Sequence, residues 1–355
     1  MGISIIAFVL VLGVLIFAHE LGHFLVARLF GVGVEKFSLG FGPRIAGKTI
    51  GRTDYRLSAI PLGGYVKMVG EDPDSDIDPA DLPYSFTHKS VFQRICIVAA
   101  GPFSNVVLAF LIFYGIFQVV GLHVLEPVIG RVADGTPAAM AGIRPGDRIT
   151  AINGTRVDQW DEMARLISES GGRTLEIDLL RGDAPVAVTA TPARQPSKNI
   201  FGEDIDRYML GIGSAGEIRV VRLNPIEAIT HSVSQTYQVT ALTVTSIVKL
   251  IQGAISTKTI GGPIMIAEMA GQQAKEGAVN LLFFTALISI NLAILNVLPI
   301  PVLDGGHLMF FFFEAVRGRP VSIRVREIAQ QAGMAVLLML MVFVFYNDIT
   351  RLLFN

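Results

Sequence analysis

The chain has 355 residues, of which 51% are hydrophobic and 17% are charged, and its mean hydropathy is +0.54. Soluble proteins carry about 25% charged residues, so this composition indicates a membrane protein. The net charge of −1 provides no basic surface, and we expect no nucleic-acid partner. The single cysteine excludes an intramolecular disulfide and a cysteine-rich zinc module.

Four apolar segments are long enough to cross the hydrocarbon core of a bilayer, which takes about 20 helical residues. The sequence therefore predicts a polytopic α-helical membrane protein with four transmembrane helices, in residues 1–30, 91–122, 279–300 and 332–348. The first segment lacks the basic start and the cleavage site of a signal peptide, so we expect it to be retained. The lipid bilayer is accordingly one expected partner of the chain.

The distribution of basic side chains predicts the orientation of these helices. Lysine and arginine near the ends of spans favour the cytosolic side. Residues 31–90 carry seven of them and residues 301–331 carry four, whereas none precedes the first span. We therefore expect these two segments to be cytosolic-side loops. Both termini and the long central region would then lie on the opposite side of the membrane.

The loop over residues 31–90 is expected to contain a membrane-associated β-hairpin. Within it, Thr53–Met68 has the pattern of two strands around Pro61 and Gly63-Gly64. Non-helical backbone is tolerated at membrane depth only where protein or a water-filled cavity covers it. A hairpin on the surface is the alternative. The acidic run Glu71–Asp81 indicates a solvated loop.

The central region has an ordinary soluble composition. Short strand patterns, glycine turns and one helix-like stretch predict a compact β-rich domain in residues 127–193. We interpret residues 194–278 as a linker with interfacial amphipathic helices, because Leu223–Ser256 mixes apolar residues with serine and threonine at helical spacing. A fifth transmembrane span in this stretch is the alternative.

The first apolar segment contains three ionisable residues, His19, Glu20 and His23. Two histidines four residues apart lie on one face of a helix, about 6 Å apart along its axis, so both can reach one metal ion. Imidazole nitrogen suits zinc, and H-E-x-x-H on a helix is typical of metalloproteases in which the glutamate is the general base. The alternative is three polar side chains satisfied by helix packing, but ionisable groups within a membrane span are usually functional.

A catalytic zinc site normally has three protein ligands, so one more is expected from another span. Asp304 follows the third apolar segment, between Pro301 and Gly305-Gly306, and the predicted topology places it at the same side as His23. Two amides in the third segment, Asn291 and Asn296, require hydrogen bonds if they are buried. They either join helices to each other or, for Asn296, hold a substrate backbone near the metal.

Several of these motifs occur together in one family. The sequences HELGH, AAGPFSN (Ala99–Asn105), IGGPI (Ile260–Ile264) and VLDGG, the last preceded by N-x-x-P-x-P (Asn296–Pro301), follow each other in this order. Together they resemble the site-2 protease family of intramembrane zinc metalloproteases, in the group of the regulator of sigma-E protease. The resemblance covers essentially the whole chain.

The resemblance implies roles for individual residues. His19, His23 and Asp304 would be ligands of Zn²⁺, Glu20 the catalytic base, and Asn296 a substrate-binding residue. Residues 127–193 would form a PDZ domain on the periplasmic side of a bacterial cytoplasmic (inner) membrane. The substrates would be single-span membrane proteins, such as anti-sigma factors already trimmed outside, and remnant signal peptides. The best-known members of this group carry two PDZ domains in tandem, whereas this chain has room for one.

A helical substrate must unwind before its peptide bonds can be attacked, and its freed amides then need hydrogen-bond partners. We expect the hairpin over Tyr55–Met68 to supply them as an exposed strand edge, with Gly63, Tyr65 and Asn291 as further substrate contacts; the alternative is a hairpin that only plugs the site. Two other functions are kept as alternatives: a non-enzymatic membrane scaffold bearing a PDZ domain, and a metal or proton transporter.

Overall fold

The computed structural model describes residues 2–71 and 77–354. Residues 72–76, part of the acidic run expected to be a loop, lie outside the described residues. The described chain forms two compact units, one made of residues 117–228 and 249–255 and the other of the remaining segments. The first elements are α1 (Gly2–Leu29), β1 (Val34–Ile50), β2 (Thr53–Met68) and α2 (Val91–Val119).

Ten short strands and two helices follow in the central part of the chain. They are β3 (Leu122–Leu125), β4 (Ile129–Val132), α3 (Pro137–Met140), β5 (Arg148–Ile152), β6 (Thr155–Arg156), α4 (Trp160–Ser168), β7 (Leu175–Arg181), β8 (Ala184–Ala190), β9 (Ala193–Lys198), β10 (Asp204–Met209), β11 (Ile212–Ser214) and β12 (Ile218–Val221). The rest of the chain is helical: α5 (Pro225–Ile251), α6 (Pro263–Glu276), α7 (Ala278–Val297), α8 (Asp304–Arg317) and α9 (Ile323–Phe354).

Within the described residues, four helices are long and apolar enough to cross a membrane. They are Gly2–Leu29, Val91–Val119, Ala278–Val297 and Ile323–Leu353. Each contains most of one predicted span, so the predicted number of transmembrane helices is confirmed. Although α5 has 27 residues, it is not among the four, and the alternative of a fifth span gains no support. The chain is a multi-pass membrane protein with helices and small β-sheets.

The predicted hairpin is larger than the sequence indicated. β1 and β2 pair across a tight turn, with Ile50 opposite Thr53 and Gly51 at φ +60°. Thr53–Met68 is therefore one strand and not two. The turn lies at Gly51 because its backbone has a left-handed conformation that glycine adopts without strain, whereas Pro61 and Gly63 lie within the strand.

The hairpin folds back on itself. Residues 36–39 face residues 54–57 on one side and residues 64–67 on the other. The two halves of β2 thus flank the first part of β1, which explains why Thr53–Met68 has the pattern of two strands. Gly63, at φ +121°, lies between the halves and allows the bend. In the described register, residues 64–68 pair only with β1, which makes them an edge of the sheet.

In the central unit, β5–β8 form a four-stranded sheet in the order β6-β5-β7-β8. Buried aliphatic residues of this sheet pack against Met163 and Ile167 of α4. The segment predicted as a linker also contributes: β11 pairs with β4, and the buried Leu210 belongs to the same core. These strands are short and carry polar residues, so periodicity alone did not indicate them.

The first and last strands of this segment, β3 and β12, lie side by side. β3 and β12 pair antiparallel, with Leu125 opposite Ile218, and the backbone N–H of Glu126 donates to Glu217. The chain therefore enters and leaves the strand-rich segment at neighbouring positions. An insertion with adjacent ends is typical of a domain that can be gained or lost without disturbing its host.

A second difference concerns residues 301–331, for which the sequence predicted a loop. The structure has α8 here, and its first turn contains Gly305 and Gly306. Glycine pairs usually indicate a turn. Here the glycines instead let the start of α8 approach the end of α7 closely. A Cβ on Gly305 would overlap the carbonyls of Val297 and Leu298.

Candidate metal centre

Three residues that the sequence singled out as metal ligands lie together. His19 and His23 are one turn apart on α1, with their Nε2 atoms 3.2 Å from each other. Asp304, the first residue of α8, places Oδ2 3.1 Å from His19 Nε2 and Oδ1 3.6 Å from His23 Nε2. One possible ligand atom of each residue lies within 4.8 Å of the other two. The three side chains can therefore reach a single ion.

The donor set fits zinc. Two imidazole nitrogens and a carboxylate oxygen are zinc ligands, and three protein ligands with one open position are typical of a catalytic site. Asp304 Oδ2 is buried and accepts no hydrogen bond of good geometry from a described residue. A buried carboxylate oxygen without a donor is costly unless a cation compensates it. A metal ion between these three side chains removes that cost.

Contacts with α2 fix the orientation of His23. Its Nδ1 donates a hydrogen bond of 2.9 Å to the backbone carbonyl of Ile97. Because a carbonyl can only accept, the proton of the neutral ring is on Nδ1 and the lone pair of Nε2 is available to a metal. The rings of His19 and His23 meet edge to face, with centroids 4.8 Å apart.

Two glycines allow α1 and α2 to approach closely at this point. A Cβ on Gly101 of α2 would overlap His23 Nε2, and a Cβ on Gly22 of α1 would overlap the carbonyl of Ala100. Small residues are common where membrane helices cross, because they let the backbones come close. Gly101 belongs to AAGPFSN, a motif to which the sequence alone assigned no physical role. Its position gives that motif a physical role beside His23 and His19.

The position of Asp304 depends on how α8 is held. Near the other end of α8, the buried Glu314 accepts two hydrogen bonds from the guanidinium of Arg94 in α2, at 2.6 and 3.2 Å. Arg326 of α9 approaches the same carboxylate at 3.8 Å. Removing one partner of a buried ion pair typically costs about 3–5 kcal/mol. The pair therefore fixes the helix that carries Asp304.

Glu20 lies between this cluster of three residues and the hairpin. Its side chain is buried, at 9% exposure, and it interacts with the backbone N–H of Val66 in β2. A Cβ on Gly64 would come within 3.0 Å of Glu20 Cγ. The edge of the sheet formed by residues 64–68 thus runs beside Glu20, and the absence of a side chain on Gly64 permits this approach.

The remaining predicted site residues are more dispersed. Gly63 and Tyr65 both contact Phe41, and the rings of Tyr65 and Phe41 stack with centroids 6.1 Å apart. Asn291 accepts a hydrogen bond of 2.8 Å from Thr243 of α5, which is the helix-joining contact considered as an alternative. Asn296 is half-buried, and no described hydrogen bond involves it.

Comparison with known proteins shows the family to which the chain belongs. A family model described as peptidase family M50 matches residues 7–340. A Campylobacter jejuni protein, provisionally named as a zinc metalloprotease, is 41% identical over 99% of this chain and 94% of its own length. The regulator of sigma-W protease RasP of Bacillus subtilis is 30% identical over 98% of this chain and 99% of its own length. The zinc metalloprotease RasP of Bacillus licheniformis is 31% identical over the same shares.

The packing of Gly101 against His23 generates a test. Gly101→Ala places a methyl group against Nε2 and must displace the ring, so we expect the purified full-length protein to lose most of its bound zinc. Displacing a group at an active site by about 1 Å costs on the order of 100-fold in rate. Zinc content by elemental analysis and a cleavage assay measure both effects.

Gly115→Ala is the matched control, because a Cβ at this position of the same helix meets nothing within 4 Å. We expect this variant to retain wild-type zinc content. Full zinc content in Gly101→Ala would contradict the described packing of α2 against the ligands.

Proposed function

Because the chain belongs to peptidase family M50 and is a zinc metalloprotease, we propose that it cleaves peptide bonds within the transmembrane segments of single-span membrane proteins. The observation that carries this proposal is the position of the metal cluster. Two of its three residues lie in α1, which is long and apolar enough to cross a membrane. A substrate that reaches this cluster must reach the inside of a membrane-embedded helical body.

In this proposal His19, His23 and Asp304 hold the zinc ion, and Glu20 is the catalytic base. When bound, zinc lowers the pKa of water and polarises a carbonyl. Glu20 takes a proton from the attacking water at its carboxylate and delivers it to the nitrogen of the leaving amine. Its burial beside the ligands supports this role, because a carboxylate shielded from bulk water exchanges protons with the substrate and not with solvent.

The edge strand of the hairpin would hold the unwound substrate. An extended peptide can pair with residues 64–68, since the described register places no second strand beside them. The N–H groups of Val66 and Met68, which interact with Glu20 and Glu71, would then change partners. Main-chain hydrogen bonds of this kind replace those that the substrate helix loses. Gly63 and Tyr65 adjoin this edge, and Asn296 remains available from α7. Asn291 is the weakest of the proposed substrate contacts, because its amide oxygen already bonds Thr243.

The strand-rich central unit would act outside the cytosol. We assign a PDZ domain to residues 127–193, extended by β11 and Leu210 of the following segment. Its adjacent ends at β3 and β12 support an inserted module. We propose that this module excludes bulky ectodomains until they are trimmed. The proposed substrates are accordingly anti-sigma-factor-like proteins after ectodomain trimming and remnant signal peptides, cleaved in a bacterial inner membrane.

The proposal is tested by separating metal binding from proton transfer. Glu20→Gln keeps the size of the side chain but cannot accept a proton, so we expect wild-type zinc content and at least a 100-fold loss of cleavage of a model transmembrane substrate. Asp304→Ala removes a ligand, and we expect it to lose both zinc and cleavage. Cleavage by Glu20→Gln at the wild-type rate would refute the assignment of the base.

The role of the edge strand is tested at Val66. Val66→Pro removes the backbone N–H beside Glu20, whereas Val66→Ala shortens the same side chain and keeps the N–H. We expect the proline variant to bind zinc normally but to cleave a helical transmembrane substrate at least 10-fold more slowly than the alanine variant. Equal cleavage rates for the two variants would show that cleavage does not depend on substrate pairing with this strand.

A further inference from the structure

The two histidines of the metal cluster differ in what faces their second ring nitrogen. In His23 it faces a backbone carbonyl, which can only accept a hydrogen bond. In His19 it faces the side-chain amide of Asn105, with Nδ1 and Nδ2 3.4 Å apart. Asn105 lies in α2, is fully buried, and its Oδ1 has no hydrogen-bond partner among the described residues.

Metal binding by His19 restricts how this amide can be oriented. His19 Nε2 is the atom that faces Asp304 and His23, so this atom must present its lone pair to the ion. A neutral imidazole that binds a metal through Nε2 carries its proton on Nδ1. Nδ1 is then a donor and needs an acceptor. The amide of Asn105 can provide one only if Oδ1, and not Nδ2, faces the ring.

We propose that Asn105 is a positioning residue whose side-chain oxygen accepts the Nδ1–H of His19 and thereby directs His19 Nε2 to the zinc ion. This inference rests on the ligand set given under the proposed function. The amide reaches this arrangement by a half-turn about its Cβ–Cγ bond, which exchanges two atoms of similar size. The buried oxygen that now lacks a partner gains one, while Nδ2 gives up its contact with His19 and takes the former position of the oxygen. Both histidines then donate from Nδ1 to an oxygen of α2.

The surroundings of Asn105 are suited to this role. Its backbone carbonyl accepts a hydrogen bond of 2.7 Å from the buried Ser289 of α7, the helix that precedes Asp304 in the chain. Residues of α1, α2 and α7 therefore meet at Asn105. Partners of metal-bound histidines typically contribute 10- to 100-fold to metal affinity. The last residue of AAGPFSN thus acquires a function distinct from that of Gly101, which provides space for His23.

The test measures zinc affinity of the full-length protein in detergent by competition with a chromophoric chelator. Asn105→Leu has nearly the same shape but no acceptor, and we expect its zinc affinity to fall 10- to 100-fold. Asn105→Asp keeps an oxygen acceptor and has no donor, and we expect it to bind zinc at least as tightly as the wild type. Absorption of the cobalt-substituted proteins reports whether the ligand field is preserved in the aspartate variant and changed in the leucine variant.

Two controls separate the possible causes. Ser289→Ala removes the hydrogen bond to the backbone of Asn105 without touching His19, and we expect less than a threefold change in zinc affinity. His19→Ala tests the ligand set itself: wild-type affinity in this variant would refute the proposed zinc site and not only the role of Asn105.

The inference is overturned if Asn105→Leu binds zinc as tightly as the wild type. It is also overturned if Asn105→Asp is weakened 10-fold or more, since the amide would then act as a donor or only by packing. Should the leucine variant fail to fold, the affinity of the aspartate variant decides between these outcomes.

Discussion

The structure depends on one constraint: a carboxylate and two imidazoles must be held together inside an apolar helical body. Ionisable groups are costly there unless they compensate one another or bind a metal. Asp304 meets His19 and His23 with nitrogen–oxygen distances of 3.1 and 3.6 Å, although α1 and α8 lie far apart in the sequence. Much of the packing in the helical unit keeps these three side chains at these distances.

Different kinds of contact hold the helices together on each side of the cluster. Between α1 and α2 the helices approach through glycines, so that the rings of the histidines lie directly against the α2 backbone. Between α2 and α8 the contact is ionic, through Arg94 and Glu314. The first turn of α8 again requires glycine, because the carbonyls at the end of α7 leave no room for a Cβ on Gly305. His19, His23 and Asp304 contact one another directly, but their spacing is set by residues from the whole unit.

The sequence predicted the parts of this arrangement that leave a local signal. Long apolar runs indicated four spans, and the i, i+4 spacing of His19 and His23 indicated a shared ligand face. Asp304 could be selected because it ends an apolar segment at the matching membrane side. The roles of Gly101 and Asn105 could not be predicted, since a glycine or an asparagine in an apolar helix does not reveal which neighbouring side chain it faces.

The errors in the sequence-based fold also have physical causes. Gly305-Gly306 and the nearby prolines indicated a loop, yet the glycines serve close packing in the first turn of α8. Pro61 and Gly63-Gly64 indicated the tip of a hairpin, but the tip is at Gly51 and the glycines bend a longer strand past Glu20. Glycine often ends a helix or strand, but here it lets neighbouring backbones pack closely. Only contacts with residues distant in the sequence distinguish these two roles.

The central claim is that imidazoles from α1 bind a catalytic zinc ion within the membrane-spanning helices. X-ray absorption at the zinc edge of the purified full-length protein tests it most directly, because imidazole rings give a characteristic outer-shell scattering. The account predicts scattering from two imidazoles in the wild type, and loss of tightly bound zinc when His19 and His23 are both replaced by alanine. Zinc bound without imidazole scattering, or retained unchanged in the double variant, would contradict it.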